Sequence, residues 1–301
     1  MNVKIHSIDE SANDQRLDNY LFKNLKGVPK SHIYKIIRKG QVRVNKGRKK
    51  VNYKLQINDT VRIPPIIISE KKQLYVSESL KKILFDSILY EDDGIVIINK
   101  PSGIAVHSGS GIKVGVIETL RESYKSIELV HRIDRDTSGV LLIAKKQSVL
   151  KNLHKQFKNN TIKKSYIALV DKVWAKKTHT VNVPLCQDLS YTRVSSQGKN
   201  AISHFHPLKN FNKEIEASLV EVLIETGRTH QIRAHARYVK HCLAGDDKYG
   251  DSEFNKKVKS KGLKRLFLHA HKLAFINPTS GNLQKINAPL PSELEFFLKQ
   301  L

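Results

Sequence analysis

One nonamer constrains this chain more than any other stretch. His131-Arg132-Ile133-Asp134-Arg135-Asp136-Thr137-Ser138-Gly139 runs directly into Val140-Leu141-Leu142-Ile143-Ala144. A short apolar run with branched side chains behind a Ser-Gly turn signal reads as a buried strand. A charge-dense loop feeding such a strand is anchored at the end of a rigid element, where a reactive group is best positioned. Asp134 has Arg132 on one side and Arg135 on the other. Nearby guanidinium groups favour the ionised carboxylate by charge and by hydrogen bonding. That suits a nucleophile or base that must be anionic at neutral pH. On spacing alone, a solvated ion-pair loop is the commoner outcome of such a charge run.

The rest of the composition narrows the class. With 301 residues, 40% hydrophobic and 27% charged, the chain has material for a sizeable core in one large or two smaller domains. Its 53 Lys and Arg against 28 Asp and Glu give a formal charge of +25. Such an excess favours a polyanionic partner, nucleic acid above all. Cys186 and Cys242 are the chain's 2 cysteines, too few and too far apart for a disulfide framework or a zinc motif. Both read as reduced structural thiols, in keeping with a cytoplasmic location. Neither a secretory leader nor a membrane-spanning apolar run is visible.

Residues 16–65 read as a small separate unit. Leu17, Tyr20, Leu21 and Leu25 repeat at helical spacing, and Gly27 ends the pattern. Ser31 is the expected N-cap of a second helix with Ile33, Ile36 and Ile37 on its buried face, and Gly40 is its expected C′ residue. An alternating strand over 41–45, a Lys46-Gly47 turn and a further strand ending at Val61-Arg62-Ile63 complete it. Its polar positions are basic, among them Lys35, Arg38, Lys39 and Arg43, which is an electrostatic footprint for RNA or DNA.

Residues 66–87, opened by Pro64-Pro65 and rich in Ser, Glu and Lys, read as a linker. A large domain occupies 88–301. Strands are expected at 95–98, 140–144, 165–170, 218–225 and 266–276. Helices are expected at 148–157 and after Gly227, the latter capped by Thr229 and burying Ile232, Ala236 and Val239. Many strands with few helices between them predict an α+β domain on a mixed, largely antiparallel sheet.

Several chemistries lack their residues. His230/His235 and His269/His271 have neither the cysteine pairs nor the helical His-Glu-His spacing of zinc sites, so no metal is expected. The glycines at 109, 111 and 115 lack the strand-to-helix context of a dinucleotide fingerprint. No nucleophile elbow is present, and Asp134 with Asp136 does not establish a glycosidase pair. His131 is expected to fix the backbone of the central loop.

Two resemblances follow from the residues quoted. The run from Arg16 to Arg48, with "RKGQVRVN" at 38–45, resembles the S4 RNA-binding domain. "SILYEDDGIVIINKPSG" (87–103), "HRIDRDTSGVLLIAK" (131–145), "SYIALV" (165–170), "TGRTHQIRAH" (226–235) and "LFLHAHKL" (266–273) resemble, in order, the RluA family of pseudouridine synthases. The resemblance implies that Asp134 is the catalytic aspartate. It implies that Arg132 fills the helix gap when the target nucleotide flips out. Tyr166 would lie against the target base and assist a late proton transfer, and Arg233 would pair with the aspartate. Arg228 is expected as a phosphate contact or a structural ion pair.

The implied reaction isomerises uridines of 23S ribosomal RNA, within the large subunit or its assembly precursor. As an isomerisation it requires no cofactor, and a monomer suffices. The competing class is a non-catalytic S4-type rRNA-binding or ribosome-assembly protein. Only isomerisation releases tritium from 5-tritiated uridine.

Overall fold

A computed structural model describes residues 3–25, 27–66, 75–109, 111–175, 177–188 and 191–301. The chain divides into two units, Met1–Gln73 and Leu74–Leu301.

In the first unit, apolar residues at helical spacing form α1 (Leu17–Asn24) and α2 (Lys30–Arg38). Leu17, Leu21, Ile33, Ile36 and Ile37 bury against Leu55, Val61 and Ile63. The sheet has the order β1–β3–β2, from β1 (Lys4–Ser7), β2 (Arg43–Val44) and β3 (Thr60–Ile63). The sequence reading starts this unit at residue 16 and so omits β1, whose Ile5 is exposed and gives little apolar signal.

Two local assignments shift. Pro29, not Ser31, caps α2, because the proline carbonyl already accepts from His32 and Ile33. The hairpin turn is centred on Asn45-Lys46, both at positive φ, one residue earlier than Lys46-Gly47. Two positive-φ residues give the turn the twist its strands need. Gly40 sits at C′ of α2 with φ +67, as expected.

The linker reading changes within the described residues; 67–74 lie outside them. Glu78–Asp86 form α3, capped by Ser77 and anchored by the fully buried Leu84. Leu80 and Leu84 recur at helical spacing and pack into one core, a signal that the Ser, Glu and Lys content of the segment masks when it is read by composition.

The second unit is built on a 10-stranded sheet of order β4–β5–β7–β14–β8–β13–β12–β9, with β6 on β7 and β15 on β14. The strands are β4 (Ile88–Glu91), β5 (Ile95–Lys100), β6 (Glu128–Leu129), β7 (Ser138–Ala144), β8 (Lys163–Asp171), β9 (His179–Asn182), β12 (Ile202–Phe211), β13 (Ala217–Ile224), β14 (Leu268–Ile276) and β15 (Leu283–Asn287). A separate hairpin pairs β10 (Leu185–Asp188) with β11 (Tyr191–Val194). Among the described residues every pairing is antiparallel except β7 with β14. The α+β expectation with a largely antiparallel sheet holds.

Both faces of this sheet are covered, which explains its continuous apolar runs. Val140 and Leu142 of β7 face one core, with Val149 and Leu153 of α5 (Gln147–Lys158). Leu141 and Ile143 face another, with Ile117 and Leu120 of α4 (Val116–Leu120). Farther along the sheet, α6 (Gln231–Tyr238) covers one face through Ile232 and Ala236. The opposite face is covered by α7 (Ser252–Ser260) and α8 (Ser292–Lys299) through Phe254, Val258, Leu294 and Phe297. Truncating a fully buried side chain such as Leu141 or Leu142 to Ala costs about 2–5 kcal/mol.

The join between β7 and β14 is short, with Ser138 beside His269 and Gly139 beside Ala270. Gly139 has φ +114, and a Cβ there would lie 2.2 Å from the Ala270 carbonyl oxygen. Only glycine permits this approach. No helix among the described residues is long and apolar enough to cross a membrane.

Candidate active site

The loop carrying Asp134 leaves β6 and enters β7, and neighbouring elements hold it by its backbone. The Lys100 ammonium is fully buried and donates to the carbonyls of Pro101 (2.8 Å), Ile104 (2.8 Å) and Arg135 (3.0 Å). Burial, reinforced by the Arg265 charge, lowers its pKa to about 7. Ser102 Oγ donates to the Asp136 carbonyl at 2.7 Å, and Gly103 N–H to the Arg135 carbonyl at 2.9 Å. The 100–103 turn is thus a clamp on the loop, a role its sequence does not announce.

His131 ties the start of the loop to β7 rather than bonding the backbone of the loop itself. Its Nε2 accepts from Leu142 N–H at 2.9 Å while its ring stacks on Phe157. Burial drives its pKa down to about 3, so the ring is a neutral acceptor. On the far side of the loop, Ser138 Oγ accepts from Arg265 at 2.7 Å and donates to His269 Nδ1 at 2.9 Å. His269 Nε2 then donates to the Ala288 carbonyl at 3.2 Å, a structural role. Lys145 is likewise structural, paired with Glu91 at 2.8 Å.

The turn before α6 supplies the opposite wall. Thr229 does not cap this helix; its hydroxyl donates to Gln187 Oε1 at 3.0 Å. Gln231 fastens the turn instead. Its Oε1 accepts from Thr226 Oγ1 and Arg228 N–H, and its Nε2 donates to the Ile202 carbonyl and to Ser203 Oγ. His230 occupies the N-cap at φ 51, ψ 24 and makes no side-chain capping bond. That left-handed conformation costs a non-glycine residue about 1–2 kcal/mol.

These elements bring Asp134, Tyr166, Arg233, Arg132 and Arg228 around one pocket, with Ile133, Ile224, Ile232 and Leu268 as its apolar lining. The enclosed space is small, about 90 Å³, and opens to solvent. A wider groove adjoins it, lined by cations that include Lys248, Lys259, Lys264 and Arg265.

Asp134 keeps 20% side-chain exposure and lies 3.8 Å from Arg233 and 3.9 Å from His230. Arg135 does not face it; that guanidinium pairs with Asp136 at 2.9 Å. Arg132 is exposed at the rim, with no hydrogen bond or ion pair among the described residues.

Arg233 has a second and tighter partner, Asp246. Nε and Nη2 each donate at 2.7 Å to a different carboxylate oxygen, and the guanidinium stacks 4.9 Å from the Tyr249 ring. Burial works to raise the Asp246 pKa, but the Arg233 hydrogen bonds and charge hold it below the usual value. The carboxylate stranded by loss of Arg233 is therefore Asp246, with no exposed side-chain surface, rather than the half-open Asp134. Asp246 sits 13 residues from Arg233, and only the run Gly245-Asp246-Asp247-Lys248-Tyr249-Gly250 could have drawn attention to it.

Tyr166 projects from β8 between two cores. Burial and the nearby Asp134 charge push its phenol pKa up, so it stays protonated. Arg228 bonds the Asn200 carbonyl at 3.1 Å and is otherwise exposed. Lys35, Arg38 and Lys39 are exposed on the small unit, while Arg43 is half-buried and bonds the Lys46 carbonyl.

Comparison with known proteins agrees with both resemblances. Residues 94–238 match the RNA pseudouridylate synthase family, and residues 15–61 match the S4 domain. The chain is 49% identical to ribosomal large subunit pseudouridine synthase C of Haemophilus influenzae, covering 99% of this chain and 95% of that protein. It is 47% identical to the protein of that name from Escherichia coli, covering 99% and 97%. A structure of human RNA pseudouridylate synthase domain containing 4 shares the fold at TM-score 0.61 and 23% identity, covering 74% of this chain and 95% of that one.

Proposed function

The chain belongs to the RNA pseudouridylate synthases, and from that premise we propose that it isomerises uridines to pseudouridine in 23S ribosomal RNA, with Asp134 as the acting carboxylate. The observation that carries this reading is the pocket itself. A carboxylate, a protonated phenol, a guanidinium and an apolar lining converge there on a space open to solvent. The relatives named large-subunit synthase C supply the RNA.

The chemistry follows from what each group can do. The uracil leaves its stack at a cost of a few kcal/mol, and the unpaired Arg132 at the rim offsets part of this by filling the gap. The base enters between Tyr166 and the aliphatic side chains. Asp134 acts on the ribose, at C1′ as nucleophile or at the adjacent C2′ as base. The N1–C1′ bond breaks, the uracil turns, and C5–C1′ forms. C5 then loses its hydrogen and N1 gains one, so nothing is oxidised or reduced. A protonated Tyr166 suits the late proton transfer. Arg233 keeps positive charge beside Asp134 while Asp246 fixes its orientation.

RNA capture falls to the S4-like unit, residues 16–65, through Lys35, Arg38, Lys39 and Arg43. Arg228 and the cationic groove hold phosphates flanking the target. On this reading the enzyme is a monomer, acting in the cytoplasm where the large subunit is assembled.

The test is tritium release from 5-tritiated uridine in large-subunit rRNA. Wild-type protein should release label, and Asp134→Asn should release none while binding the RNA with nearly unchanged affinity. A binding protein without catalysis would release none in either form. Label release by Asp134→Asn near the wild-type rate would remove Asp134 from the mechanism.

A further inference from the structure

Neither contact of Asp134 is a direct hydrogen bond, and Arg233 is committed to Asp246. The orientation of the acting carboxylate therefore needs another source. His230 is built to provide it. The Tyr249 hydroxyl oxygen accepts from Thr192 N–H at 2.7 Å. An amide can only donate, which leaves the phenol's own proton available for His230 Nδ1, 2.9 Å away. With Nδ1 accepting, the neutral ring carries its proton on Nε2. Nε2 is the atom 3.9 Å from Asp134 Oδ2.

The backbone adds an independent observation. His230 holds a left-handed conformation and forgoes side-chain capping of α6. Strain of this kind persists where surrounding structure fixes it, and it clusters at functional sites. Here the surrounding structure is the Tyr249 bond on one side and the Gln231 clamp on the other.

We propose that His230 is a positioning residue for Asp134, donating Nε2–H to Oδ2 in the RNA complex and so fixing the carboxylate face that meets the ribose, with Tyr249 holding the donor tautomer. This rests on the reading of Asp134 given above. Separations in such sites commonly tighten when substrate binds. The charged and titratable groups facing His230 are Asp134 from the loop before β7, Arg233 from α6, and Asp246, Lys248 and Tyr249 from the segment after α6. Burial lowers the imidazole pKa more than Asp134 restores it, consistent with a neutral donor.

Two variants separate positioning from folding. His230→Asn keeps a short amide that tolerates the left-handed backbone and can still meet Tyr249, but it offers no donor at the Nε2 position. His230→Gln returns an amide donor near that position. Single-turnover tritium release from 5-tritiated rRNA should fall roughly 10- to 100-fold in His230→Asn, as for loss of a hydrogen bond to a charged group. RNA affinity and the urea midpoint should be unchanged, and His230→Gln should regain most of the rate. Imidazole ¹⁵N spectra should show the His230 proton on Nε2 in wild type and a shift toward Nδ1 in Tyr249→Phe. A wild-type rate in His230→Asn, no recovery in His230→Gln, or an Nδ1–H ring in wild type would each overturn the proposal. Label release by Asp134→Asn would instead overturn the reading beneath it.

Discussion

Replacing Arg233 by Met tests the buried pair behind the site. The substitution keeps an unbranched side chain in α6 and removes both 2.7 Å hydrogen bonds to Asp246. Asp246 retains two backbone donors, Lys248 N–H at 3.0 Å and Tyr249 N–H at 2.9 Å, but no second ion pair among the described residues. Breaking one side of a buried ion pair costs about 3–5 kcal/mol. At about 2–4 °C per kcal/mol for a unit of this size, the melting temperature should fall by roughly 6–20 °C.

The pH dependence of that deficit is diagnostic. In the wild type the folded Asp246 pKa lies below its usual value, so its contribution is present at neutral pH and is lost as pH falls through the folded pKa. In the variant burial is opposed only by the Lys248 and Tyr249 amides, so the folded pKa rises above its wild-type position. The folded variant then binds a proton at higher pH than the folded wild type does, so its stability relative to the wild type improves on acidification. The gap between the two proteins should therefore be widest near pH 7 and narrow toward pH 4. Urea unfolding followed by fluorescence of Trp174 reads this directly. It is the chain's 1 tryptophan and is 5% exposed in the second unit. A deficit within about 0.5 kcal/mol, as an exposed substitution gives, or one independent of pH, would refute the assignment of Arg233 to Asp246.

Three other perturbations address the loop, the phenol and the RNA-binding face. Tyr166→Phe keeps the ring and should leave RNA affinity intact while slowing pseudouridine formation by about 10²-fold or more, as for loss of a general acid or base; an unchanged single-turnover rate would restrict Tyr166 to stacking. Lys100→Met should loosen the Asp134 loop and reduce turnover. Because folding lowers the Lys100 pKa from 10.5 to about 7, the unfolded chain holds more protons between those values. Wild-type stability relative to Lys100→Met should therefore rise as pH increases across that window, and parallel pH curves would exclude a buried ammonium. Lys35→Ala should weaken binding to all RNA sequences alike and lower the salt dependence by about one counterion; weakening confined to one sequence would make it a base contact.

The sequence is legible where one short segment carries the whole signal. The centres of β5 and β7 are read correctly because both faces of each strand are buried, so 95–98 and 140–144 are unbroken apolar runs; the polar ends Asn99-Lys100 and Ser138 are missed. α6 is read correctly because Ile232 and Ala236 recur on one face. Its start is not, because the turn is closed by Gln231 reaching back rather than by Thr229 capping forward. Lys100 resembles any solvated lysine until the nearby Pro101 and Ile104 carbonyls and the distant Arg135 carbonyl close on it. Asp246 and His230 become meaningful only when folding sets them against Arg233 and Asp134. Asp134 itself is conspicuous, but the arginine beside it in sequence, Arg135, turns out to serve Asp136.

The narrow parallel contact of β7 with β14 has a consequence for how competence arises. Asp134 enters from the strand group before this seam, whereas Tyr166 and Arg233 are borne by the group beyond it. Neither group alone contains the set of side chains proposed to act on the RNA. Turnover on this reading depends on the register of the seam, and a displacement of about an ångström at Gly139 should cost about 10²-fold in rate.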